Sequence, residues 1–200
     1  MNVIFFGLAA IILYVVVAAR TSEIARSPAN GFRLWSATGV LSLLAVAAHA
    51  AALYPTTVTP PGVNLGIFNV ASVVAWIIAS ICILAATRQT PSRLSVVVLP
   101  FSATIVGMSL LFSNERLMSP TNPGIAIHIT LSLLAYSLFA IAALQALYLA
   151  FAEHRLKRHT PVLGFLPPLP EMERIMFQLT GIAFLLLSAG LLVGGHYIEN

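Results

Sequence analysis

Charge is scarce in this 200-residue chain: Asp, Glu, Lys and Arg together make up 8% of it. Soluble domains carry about a quarter, so a water-covered globular surface is excluded. There is one cysteine, Cys82, and it lies inside an apolar run. It can form no internal disulfide and no thiol pair, and reads as a small packing residue. GxGxxG, P-loop, CxxC and HExxH patterns are absent, which leaves nucleotide, thioredoxin and zinc-protease chemistry without support. Two tryptophans, Trp35 and Trp76, are too few for an aromatic platform, and Trp35 is expected at an inner membrane interface.

What the chain has is apolar length. Hydrophobic residues make up 59% and the mean hydropathy is +0.96, values of a polytopic membrane protein. Runs over Val3 to Ala19, Leu34 to Tyr54, Phe68 to Thr87, Leu94 to Phe112, Gly124 to Ala152 and Ile175 to Val193 predict six membrane-spanning helices, since a span needs about 20 apolar residues. The fold class is therefore all-α, a transmembrane helix bundle forming one domain over 1–200. The fifth run is too long for a perpendicular crossing and is expected to tilt or project beyond the bilayer. The first has no basic residue before it and further spans after it, so it reads as a retained helix rather than a signal peptide.

The net charge of +4 and pI near 9.7 do not indicate nucleic acid, because the basic residues sit in short loops beside spans. Arg20, Arg26 and Arg33 fall in the first gap, Arg88 and Arg93 in the third, and Arg155, Lys157, Arg158 and Arg174 in the fifth. The second gap has no charge and the fourth only Glu115 and Arg116. The positive-inside rule puts the first, third and fifth gaps in the cytoplasm and both termini outside, as in a multi-pass protein of the bacterial inner membrane. The outer gaps Pro55 to Ile67 and Ser113 to Pro123 are rich in Pro, Asn and Gly, which predicts clean helix ends. In the fifth gap the prolines of Leu166 to Pro170 are expected to stop regular structure, with Glu171 and Glu173 suiting the positive end of the next helix.

Two ionisable residues lie deep in the spans, and such groups need a partner or a purpose. His49 stands five residues before Tyr54, and His128 five residues after Pro123. At 1.5 Å rise per residue each imidazole is about 8 Å below the outer boundary, on helices of opposite direction. Small residues surround His49 (Ala47-Ala48-His49-Ala50-Ala51-Ala52), leaving room for a flat ligand or for close helix approach. His128, Ser132 and Tyr136 recur every four residues, a polar stripe expected to face the bundle and orient the imidazole. Paired imidazoles on facing helices can hold haem iron, with Arg116 available to a propionate. The same pattern also fits interhelical hydrogen bonding or a proton relay. Arg116 alternatively reads as a solvated charge balanced by Glu115. His154 and His159 read as solvated, and His196 as a helix cap or third ligand.

The segment Gly124 to Ser137 (GIAIHITLSLLAYS), continuing into Ala142 to Leu147 (AALQAL), resembles the hallmark helix of the cytochrome c assembly protein family, and within it the branch of YpjD- and HemX-like proteins. Leu166-Pro167-Pro168-Leu169 with Met172-Glu173, Phe177-Gln178-Leu179 and Gly181, then Ala48-His49-Ala50, and Asn64-Leu65 with Asn69-Val70 and Ser72, are similar to that branch too. The resemblance implies a non-enzymatic membrane protein that handles haem b at the outer face, with His128 matching the family's haem-binding histidine and His49 a recurrent one. It also implies partners among cytochrome c maturation or haem-biosynthesis proteins. Haem-delivering members carry a tryptophan-rich WWD segment where this chain stops at Asn200, so a fragment or shortened member is expected. Two other readings stand beside haem handling: a membrane scaffold or regulator acting on a partner, and a small-solute or proton transporter with His49 and His128 as relay residues.

Overall fold

A computed structural model describes residues 2–26, 36–60, 62–86, 93–112, 115–118, 123–158 and 169–198. Arg33, the start of the second run at Leu34 and Trp35, Thr87, Arg88, His159 and the Leu166-Pro167-Pro168 run lie outside the described residues. Among the described residues are six helices long and apolar enough to cross a membrane: α1 (Val3–Arg26), α2 (Ala37–Thr57), α3 (Ile67–Ala86), α4 (Arg93–Leu111), α5 (Pro123–Lys157) and α6 (Leu169–Ile198). The chain forms two compact units, Met1–Pro120 and Thr121–Asn200.

In the first unit α1 packs on α2 and α4, and α3 on α4 and α2. Lipid gives apolar side chains no drive to leave it, so helices associate through close packing and polar contacts. Each of the four helices brings an alanine to the core (Ala10, Ala45, Ala79 and Ala103), and Tyr14, Val17 and Leu99 fill the space between the axes. Several hydroxyls inside the spans are satisfied within their own helix, as by Thr21 on the Val17 carbonyl at 2.7 Å and Ser42 on the Thr38 carbonyl at 2.7 Å. Ser36 caps α2 by accepting from the Gly39 amide at 3.2 Å. Pro100 is accommodated inside α4, since neighbouring helices and hydroxyls can take up a freed carbonyl in a membrane bundle.

Two expectations need correction. The prolines do not end the helices where anticipated: α2 runs through Pro55 to Thr57, and Pro170 sits in the first turn of α6. A proline costs little in a helix's first turn, where its missing N–H would have no partner. The fold is also not purely helical. Strands β1 (Val58–Thr59), β2 (Gly62–Asn64) and β3 (Leu117–Met118) form an antiparallel sheet in the order β1-β2-β3, with Val58 opposite Val63 and Val63 opposite Met118. The reversal between β1 and β2 uses Gly62 at φ 147°, a backbone region where a Cβ is disfavoured. The all-α class thus carries a small β element linking the loops that follow α2 and α4.

The second unit is the α5·α6 pair. Gln145 joins its other end, its amide 3.5 Å from the Met172 carbonyl.

Candidate functional site

His49 is 1% exposed and both ring nitrogens are engaged inside the first unit. Nδ1 lies 3.0 Å from the Tyr14 hydroxyl of α1, and Nε2 lies 3.0 Å from Ser72 Oγ of α3. A neutral imidazole has one donor and one acceptor nitrogen. Tyr14 is fully buried and His49 is its one hydrogen-bond partner among the described residues, so its proton is best placed on Nδ1. Nε2 then carries the ring proton and donates to Ser72, whose own hydroxyl hydrogen is left over. Near His49, Ala45 and Ala48 pack in the core cluster with residues of α1, while Ala52 lines a cleft of about 480 Å³ that also reaches His49, Ser72 and Asn64.

The mouth of this cleft is tied by two buried asparagines. Asn64 Oδ1 accepts from the amides of Gly66 at 2.9 Å and Arg116 at 3.0 Å, and the Leu65 amide donates to the Arg116 carbonyl at 2.8 Å. Asn69 donates to the Asn64 carbonyl at 2.7 Å and accepts from Thr56 at 3.1 Å. The sequence reading gave Arg116 a role through its side chain. In the structure its backbone holds β2 while the side chain is exposed.

In the second unit the His128 ring is held against α6, its Nδ1 2.6 Å from the Gly190 carbonyl. A carbonyl can only accept, so Nδ1 carries the proton and Nε2 keeps its lone pair, with no hydrogen-bond partner among the described residues. The seat is made by glycine. A Cβ on Gly194 would stand 2.6 Å from Nδ1 and 2.9 Å from Cε1 of His128, and one on Gly190 would meet Leu131 and Ser132 at 3.4 and 3.6 Å. At the end of the pair the Tyr197 ring covers Gly124 in the same way. Gly190 and Gly194 are a small-xxx-small pair, the pattern that lets membrane helices touch.

The stripe His128, Ser132, Tyr136 is only partly realised. Steps of four advance 40° beyond a full turn, so Ser132 still faces α6 while Tyr136 has rotated off it and is 57% exposed. The group that orients His128 is the Gly190 carbonyl, not Tyr136. His196 is exposed, edge-on to Tyr197 at 5.2 Å, and His154 is exposed. Sequence reasoning missed Tyr14, a mid-span tyrosine that a search for polar atoms in lipid would have flagged, and the Gly190/Gly194 pair, whose four-residue spacing was readable. No cluster of three or more His, Cys, Asp or Glu suited to a bare metal ion occurs among the described residues.

Membrane-length helices that hold one oriented imidazole in each unit, buried at His49 and half-buried at His128, define a polytopic membrane protein with histidines inside its spans. The chain belongs to the family described as Cytochrome C assembly protein, whose model matches residues 34–200. It is 33% identical over 174 residues to the inner membrane protein YpjD of Escherichia coli K12, a match covering 83% of this chain and 65% of that protein. It is 34% identical over 134 residues to an uncharacterized 28.8 kDa protein in the nifR3-like 5' region of Azospirillum brasilense, covering 62% of this chain and 49% of that one. The chain therefore spans about two thirds or less of the curated relatives it matches. No solved structure matches.

Proposed function

We propose that this chain is a haem-handling protein of cytochrome c maturation in the bacterial inner membrane, a carrier or chaperone with no reaction of its own, and that His128 is its axial ligand to haem b. The supporting observation is the bond from His128 Nδ1 to the Gly190 carbonyl. Ligating histidines nearly always donate their other ring N–H in this way, which fixes the tautomer and raises the basicity of the ligating nitrogen. Bound haem supplies an iron with an axial position that takes such a nitrogen. The protein's part is to hold the ring still against α6 and to leave Nε2 open to a ligand. His49 differs, since it would have to surrender Ser72 before its Nε2 met a metal.

Family membership and likeness to an inner membrane protein support the location. The charge alternation supports an orientation with both termini outside and the Arg155 to Arg158 segment in the cytoplasm. Partners are sought among cytochrome c maturation proteins.

The test is an absorption spectrum of the detergent-purified protein titrated with haemin. The wild type develops a ligated Soret band. His128→Ala loses it, while His49→Ala keeps it. A band unchanged in His128→Ala overturns the assignment.

A further inference from the structure

The cleft of the first unit is not used by the reading above, and its chemistry is specific. Its walls are apolar, with Ala52, Leu53, Val106, Leu110 and Phe112, and it holds about 480 Å³, within the range of small-molecule sites. No Lys or Arg lines it, and its one carboxylate is Glu115 in the exposed outer loop. An anion would find no counter-charge there, so a neutral occupant fits.

Two lining groups retain a proton to give. Ser72 receives the His49 Nε2–H, and its hydroxyl hydrogen has no acceptor among the described residues. Asn64 spends its carbonyl oxygen on the Gly66 and Arg116 amides, and its NH₂ has no acceptor among the described residues. Both residues are nine-tenths or more buried, at 2% and 8% exposure. The NH₂ of Asn69, in contrast, is already spent on the Asn64 carbonyl and the Thr57 hydroxyl.

We infer that this cleft binds a membrane-dissolved quinone, its carbonyl oxygens accepting from Ser72 and Asn64 and its ring lying between the apolar walls. Carbonyl acceptors on a neutral apolar body are the complement of the two free donors. The glycerol-ester region of a neutral lipid shares the acceptor chemistry but lacks a compact flat ring to lie between the apolar walls, and the quinone is the occupant the walls favour.

The experiment titrates decylubiquinone into the purified full chain in detergent, followed by calorimetry, with dioleoylglycerol as the parallel ligand. Saturable quinone binding is expected, weakened about 5-fold by the loss of one hydrogen bond in Ser72→Ala. Asn64→Asp keeps the oxygen that holds Gly66 and Arg116 but removes the donor, and weakens binding at least as much. Ala52→Leu fills the cleft without touching the polar network and abolishes binding. His128→Ala leaves quinone affinity unchanged, so failure here and failure of the haem assignment are separable. Equal binding by wild type and Ala52→Leu overturns the inference. So does preference for dioleoylglycerol, or a haemin Soret band that requires His49.

Discussion

Three glycines of α6 give a graded perturbation of His128. In Gly194→Ala the new methyl would stand 2.6 Å from His128 Nδ1 and 2.9 Å from Cε1, well inside contact distance. The obstacle is a ring anchored by its own hydrogen bond, so relief requires moving it off the Gly190 carbonyl. Overpacking of this kind costs about 1–3 kcal/mol, and an interhelical hydrogen bond in a membrane contributes about 1 kcal/mol more. Alanine's better helix propensity returns up to about 1 kcal/mol, leaving a net loss of about 1–3 kcal/mol. Gly190→Ala meets its nearest neighbour at 3.4 Å and Gly195→Ala meets nothing within 4 Å, so both should be near neutral. Unfolding of the purified variants in mixed micelles with increasing SDS, followed by circular dichroism, measures the series. Adding His128→Ala to Gly194→Ala removes the clash, and the pair should be less destabilised than the separate effects imply. If Gly194→Ala is as stable as Gly195→Ala, the seat described for His128 is wrong.

Tyr14→Phe removes the donor to His49 Nδ1 and should cost about 1 kcal/mol in the same unfolding assay, with an unchanged midpoint counting against the hydrogen-bonded triad. Asn64→Ala frees the Gly66 and Arg116 amides, and hydrogen exchange at those two positions should accelerate while amides in the middle of α3 stay protected. Gly7→Ala places a Cβ 2.7 Å from a Leu110 methyl, but that is the far end of a flexible side chain, so the loss should be below about 1 kcal/mol and smaller than for Gly194→Ala. With buried Cys82 as a silent background, Val58→Cys should react with an impermeant maleimide added outside intact cells and Lys157→Cys only after lysis. The reverse pattern would invert the topology.

The six helices were readable because apolar length and charge are direct consequences of the solvent. A run such as Ile67–Ala86 has few alternatives to a membrane helix, and the arginines flank it for the same reason. Boundaries were less legible. α1 continues to Arg26, seven residues past Ala19, because polar residues emerging from a bilayer can stay helical. The strands were invisible at two or three residues each, and β3 lies more than fifty residues from its partner. At the site, both histidines stood out as ionisable groups in apolar runs, but their partners did not. Tyr14 is 35 residues from His49 and Gly190 is 62 from His128, and no helical periodicity connects positions on different helices. The His128, Ser132, Tyr136 stripe misled for a local reason, the drift of a four-residue repeat around a 3.6-residue helix. Asn64, Asn69 and Ser72 were noticed through resemblance alone, and only the geometry gives them work: two asparagines that stitch loops and a serine hydrogen-bonded to His49.

The sheet that draws Leu117 and Met118 back onto β2 has a consequence for biosynthesis. Every residue that shapes the cleft, and every bond that closes its rim, is translated before Thr121. All the parts of that cleft are therefore made before α6 is. The nascent chain can tie the loops after α2 and α4 together by strand pairing before the α5·α6 hairpin is complete.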